Sequence, residues 1–259
     1  MQILKRTYNK SQLSILSKSL IIGGSFFILT GVLSVILCEL FSIFCKNLEN
    51  NFVLLGIAVA AIIIASIMSS IWKTFGWSSK NKVSTIVITI IYTCLLSITL
   101  GYFFAFIKLH FKNGYSLIYL SFLITGIIAF ISGLISIGLN KRGAVSFGKF
   151  VLVLMIVMLA VSGVCLLLLW FSLFFMNLLL TIDYLVFILI IGSAFLSFCY
   201  LIIDILLIMR FQQNNALANN ENLENNIIWY FGFRLFTDLI SILLYVIYFL
   251  LRLKSPKKS

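Results

Sequence analysis

Charge is what this sequence has least of. Asp, Glu, Lys and Arg make up 10% of its 259 residues, against about 25% in an average soluble domain, and so small a supply cannot cover a water-facing surface. Proline occurs once, as Pro256, beyond the last apolar run, so none of the runs before it carries a proline kink. Histidine also occurs once, as His110 between Lys108 and Lys112. That argues against an intramembrane serine protease, which needs an embedded histidine and a Gly-x-Ser-x-Gly turn. The five cysteines, Cys38, Cys45, Cys94, Cys165 and Cys199, lie in or at the ends of apolar runs without C-x-x-C spacing. Neither a zinc site nor a disulfide framework is indicated, and buried thiols are expected. There is no internal repeat. The first apolar run is too long for a removable signal peptide, and no small-residue cleavage site follows it.

What the sequence has is apolar length. Hydrophobic residues make up 62% of the chain and fall in repeated runs of about 20 or more, enough to cross a hydrocarbon core about 30 Å thick. The spans are expected at 19–44, 52–72, 83–107, 115–139, 150–175, 183–209 and 229–252, each ending where Lys, Arg, Asn or Glu gather. In lipid each must be helical, because an unsatisfied backbone group there costs several kcal/mol. The expected fold is an all-α integral membrane protein, a bundle of seven transmembrane helices with the last helix central. A basic N-terminal segment (1–18) precedes the transmembrane domain (19–252), and a basic tail (253–259) follows it.

The net charge of +12 does not indicate nucleic acid, because the basic residues are spread over loops and termini. Lys5, Arg6, Lys10 and Lys18 precede the first span, Lys73, Lys80 and Lys82 join the second to the third, Lys141, Arg142 and Lys149 join the fourth to the fifth, and Arg210 ends the sixth. Fewer lie on the opposite side: Lys46, Lys108 and Lys112, with Arg252, Lys254, Lys257 and Lys258 in the C-terminal cluster. The positive-inside bias favours a cytoplasmic N-terminus, in a multi-pass protein of the cell membrane. Asn- and Lys-rich loops, including the connection Gln212 to Asn226, fit the codon usage of an AT-rich bacterial genome.

Charges inside a span cost about 2.5–3.5 kcal/mol each on insertion scales, so those that remain are functional candidates. Glu39 lies near the outer end of the first span, where snorkelling or pairing with Lys46 is expected. Asp183 opens the sixth span, a capping position. Asp204 and Asp238 are better placed, since the sixth and seventh helices are antiparallel neighbours and both acids lie towards their shared connection. Ser193, Ser197, Tyr200 and Asp204 recur at helical spacing, as do Arg234, Asp238, Ser241, Tyr245 and Tyr248, so each helix carries one polar seam. Two carboxylates close together share a proton and titrate as a unit, the chemistry of a pH-sensitive latch or weak cation site. The bland alternative stays open: Arg234 neutralises Asp238 as an i,i+4 pair, while the serines and tyrosines join helix to helix.

At these residues the chain resembles the Bax inhibitor (transmembrane Bax inhibitor motif) family, whose bacterial members have seven helices. The resemblance is carried by Tyr200-Leu201-Ile202-Ile203-Asp204 and by Leu235-Phe236-Thr237-Asp238-Leu239-Ile240-Ser241-Ile242. A fourth helix running through Gly133 to Gly138, the basic pair Lys141-Arg142 and Ser146-Phe147 opening the fifth add to it. The resemblance implies that Asp204 and Asp238 are a paired pH sensor whose parting from a basic partner governs a slow calcium leak. Gly143 or Ala144 replaces a common family aspartate, and Ser241 an asparagine. The family's second-helix arginine is absent; Lys73 is its nearest substitute, and a lysine cannot reproduce a bidentate clamp.

The expected function is therefore a pH-sensitive calcium leak, not an enzyme. Its pathway is Asp204 and Asp238, with Lys73 or Arg234 as latch partners and Ser193, Ser197, Tyr200, Ser241 and Tyr245 lining the seams. Calcium wants six to eight oxygens, so two carboxylates would hold it weakly and transiently, as passage requires. No resident cofactor is expected, and the expected partners are the lipid bilayer, calcium ions and protons. A substrate-binding subunit of a transporter is the alternative; an intramembrane aspartyl protease would need glycine contexts that neither aspartate has. Gly23, Gly31, Gly126 and Gly133 are expected at close helix contacts.

Overall fold

The computed structural model describes residues 12–44, 48–75, 82–111, 113–139, 141–172, 179–212 and 221–253. They form seven α-helices: α1 (Gln12–Phe44), α2 (Leu48–Phe75), α3 (Lys82–His110), α4 (Gly114–Gly138), α5 (Lys141–Ser172), α6 (Leu179–Gln212) and α7 (Glu221–Leu253). Each is long and apolar enough to cross a membrane, and the described residues contain no strand. The chain is thus an all-α, multi-pass membrane protein, the one architecture besides a closed barrel that satisfies every backbone group in lipid.

Several helices outrun their apolar spans. The 33 residues of α1 rise about 50 Å at 1.5 Å per residue, well beyond the hydrocarbon core. Helix α5 begins at Lys141 rather than 150, so Lys141-Arg142, not Ser146-Phe147, opens it. Helix α6 begins at Leu179, which puts Asp183 past the first turn and removes its expected capping role. Helix α7 begins at Glu221, taking the last part of the Asn-rich connection into the helix. The common reason is that hydropathy marks the edge of the hydrocarbon, whereas a helix can run on through the headgroup layer. Lys5, Arg6, Lys10, Cys45, Lys46, Lys80, Lys112, Lys254, Pro256, Lys257 and Lys258 lie outside the described residues.

The chain divides into two compact units, 1–118 with 207–237, and 119–206 with 238–259. In the first unit, α1 lies close against α3 and α7. A Cβ on Gly23 would stand 2.9 Å from the Gly232 carbonyl oxygen, one on Gly232 2.6 Å from Ile22 Cγ2, and one on Gly101 2.7 Å from Leu37 Cβ. Small residues are what let helices approach so closely in lipid. Around these crossings Leu100, Phe104, Phe231, Phe233 and Phe236 are fully buried, and the edge of Tyr92 meets Phe233 and Phe236 with centroids 5.4 and 5.6 Å apart. Buried hydroxyls along α3 turn inward on their own helix: Thr89 donates to the Thr85 carbonyl, Thr93 to Thr89 and Ser97 to Thr93. Polar side chains are thereby accommodated in an apolar interior without a partner helix. Helix α3 passes to α4 through Asn113, whose φ of 72° is left-handed and tolerated by asparagine. A Cβ on the next residue, Gly114, would lie 2.6 Å from the Ile107 carbonyl oxygen, so the turn requires glycine there.

In the second unit α5 is the least enclosed helix. Among its described side chains only Val151 and Cys165 are buried, while Val153, Ile156, Leu159 and Leu167 are exposed, as suits a face turned to lipid. Phe187 of α6 stacks on Phe249 of α7 at 6.2 Å, and the Arg252 guanidinium lies 4.8 Å from the Phe187 ring centre. Gly126 and Gly133, expected at close contacts, have nothing within 4 Å of an added Cβ, so these two glycines do not mark crossings. Cys38, Cys165 and Cys199 are buried as expected, but Cys94 is exposed, because its position on α3 faces away from the crossings with α1 and α2.

Candidate ion pathway and its flanking charges

Asp204 of α6 and Asp238 of α7 both belong to the second unit and are 1% and 4% exposed. Each sits within a stretch rich in Leu, Ile and Phe, so the chain carries two buried carboxylates in largely apolar helices. Ser197, two turns before Asp204, is also buried, and Ser193 is half-buried. Tyr200 departs from the expected seam: its hydroxyl donates to Met155 Sδ on α5 at 3.2 Å. On α7, Ser241 and Tyr245 are half-buried and Tyr248 is exposed, so burial fades along this seam away from Asp238.

A helix that the sequence reading left out also reaches this region. Ser136 of α4 donates to the Ile202 carbonyl at 3.3 Å as well as to its own Ser132 carbonyl at 2.7 Å, which fixes α4 beside α6 half a turn before Asp204. Ser121, Thr125, Ser132 and Ser136 are all buried on α4. Their mutual spacings of 4, 7 and 4 were the signal that could have identified this face. Among the described residues no three His, Cys, Asp or Glu side chains group as a metal site. A cation passing Asp204 and Asp238 would take its remaining oxygens from hydroxyls, carbonyls and water.

The expected latch partners Lys73 and Arg234 belong to the first unit, where one residue brings them together. Tyr230 of α7 donates its hydroxyl to the Lys73 carbonyl at 2.8 Å, and the Arg234 guanidinium lies 5.8 Å from the Tyr230 ring centre, within cation–π reach. Tyr230 was missed although it precedes Arg234 by one helical turn and extends the Arg234–Asp238 seam.

This junction belongs to a wider collar at one end of the first unit, gathered around the first turns of α7. Lys18 lies 3.6 Å from Glu224, and Ser19 donates to the Ile228 carbonyl at 3.2 Å. Lys82 stands 6.0 Å from the Trp229 ring centre, and Phe211 packs on Phe231 at 5.7 Å. The starts of α1, α3 and α7 and the ends of α2 and α6 therefore meet here. The opposite end of this unit is closed differently. Lys108 donates to Glu39 Oε2 at 2.6 Å, Tyr115 donates to Glu39 Oε1, and Tyr102 donates to Asn51 Oδ1 at 3.0 Å. The described partners of Glu39 thus come from α3 and α4, because the tight Asn113–Gly114 turn carries both to the end of α1, while the expected partner Lys46 lies outside the described residues.

No protein-family model, curated protein or solved structure matches the chain.

Proposed function

We propose that the protein is a pH-sensitive calcium leak of the cell membrane, with its N-terminus cytoplasmic and with Asp204 and Asp238 serving as both proton sensor and ion pathway. The observation that carries this reading is the burial of both carboxylates, 1% and 4% exposed, in helices long and apolar enough to span a bilayer. Keeping two acids at that depth costs about 2.5–3.5 kcal/mol each, a cost met at ion and proton pathways. Weak oxygen coordination by two carboxylates suits passage rather than storage. The resemblance to the Bax inhibitor family supports the choice of calcium. The collar of Lys18, Lys73, Lys82 and Arg210 supports the cytoplasmic assignment of the N-terminal end.

The test is calcium entry into liposomes loaded with a calcium-sensitive dye, recorded at about pH 6, 7 and 8 for the parent and for an Asp204→Asn, Asp238→Asn variant, since paired carboxyls titrate as a unit. Entry that varies with pH in the parent and no longer does so in the variant is the expected result. No entry above that of empty liposomes would sink the leak and leave a transporter subunit as the better reading.

A further inference from the structure

We draw no further inference here: the strongest candidate, the buried hydroxyl face that Ser121, Thr125, Ser132 and Ser136 form along α4 beside α6, is a stripe of small side chains of the kind that packs one membrane helix on another, its Thr125, Ser132 and Ser136 hydroxyls donate to carbonyls of α4 itself, and no second feature among the described residues points to a ligand along it.

Discussion

In the first unit the acid nearest the membrane interior, Glu39, is bridged by Lys108 and Tyr115 and keeps its side chain 53% exposed, whereas the second unit holds Asp204 and Asp238 almost wholly buried. The units differ in packing as well. The first closes its α1, α3 and α7 crossings at glycines and fills them with Phe104, Phe233 and Phe236, while the second includes α5, most of whose described side chains are exposed. An acid that serves packing can sit at a helix end, where water and a lysine offset its charge cheaply. Acids kept deep in a loosely enclosed unit are better explained by what they do there. On this comparison the first unit is the more tightly packed, and the proposed ion pathway falls in the second.

The largest effect that would break the comparison concerns the two aspartates. If they are functional, replacing either with asparagine leaves the protein as stable as the parent or more so, because a desolvation cost is removed along with function. If instead either is one member of a structural buried ion pair, its replacement should cost about 3–5 kcal/mol. Unfolding of Asp204→Asn and Asp238→Asn in mixed micelles separates the two: stability at or above the parent's goes with the functional reading, and a loss of several kcal/mol with the structural one.

Glycines give the next largest contrast. Gly232→Val places side-chain atoms where a Cβ alone already lies 2.6 Å from Ile22 Cγ2 and 3.4 Å from the Ser19 carbonyl oxygen, and overpacking of this kind costs about 1–3 kcal/mol. At Gly126 an added Cβ meets nothing within 4 Å, so Gly126→Val should leave the unfolding free energy within about 0.5 kcal/mol of the parent's. Equal loss at both sites would mean that the second unit is packed as tightly as the first.

The contrast between these glycines also shows where sequence reading succeeds and where it stops. Seven helices were legible because apolar run length answers directly to bilayer thickness, and Gly23 was correctly placed at a crossing. Gly126 and Gly133 were not, since composition says how often small residues occur at contacts but not which face meets a neighbour. Helix ends at Lys141, Leu179 and Glu221 escaped hydropathy for the same physical reason that misassigned Asp183. The partner of Glu39 was missed because Lys108 is 69 residues away and is delivered by a turn geometry visible only in three dimensions. In the candidate site, both aspartates and their burial were legible from the cost of a charge in lipid. Tyr230 and Ser136 stand at helical spacing with their neighbours, but the carbonyl that each meets on another helix is a group that side-chain patterns do not mark.

A smaller effect is expected at the exposed clamp. Lys108→Gln removes the 2.6 Å bond to Glu39 but leaves Tyr115 as a donor to the same carboxylate. Exposed ion pairs contribute at most about 1 kcal/mol, and that contribution is reduced further by salt. Unfolding at low and high ionic strength should show a small loss at low salt that narrows as salt rises. A loss of several kcal/mol would place Glu39 among the deep acids and erase the distinction between the units.

The smallest effect sharpens the comparison inside the second unit itself. Ser136→Ala deletes the 3.3 Å bond to the Ile202 carbonyl while keeping the small volume that lets α4 approach α6. The carbonyl retains its place in the α6 ladder, so little is left unsatisfied, and hydrogen bonds between membrane helices average about 0.6 kcal/mol. A stability loss near that value is expected from unfolding in mixed micelles. The informative readout is calcium entry measured on the same variant: Ser136 holds α4 against the stretch of α6 that leads into Asp204. If this contact sets the resting position of the aspartate, entry at a fixed pH should shift by more than the small stability change would produce. Entry identical to the parent's across the pH range would confine Ser136 to packing and leave the pathway to α6 and α7.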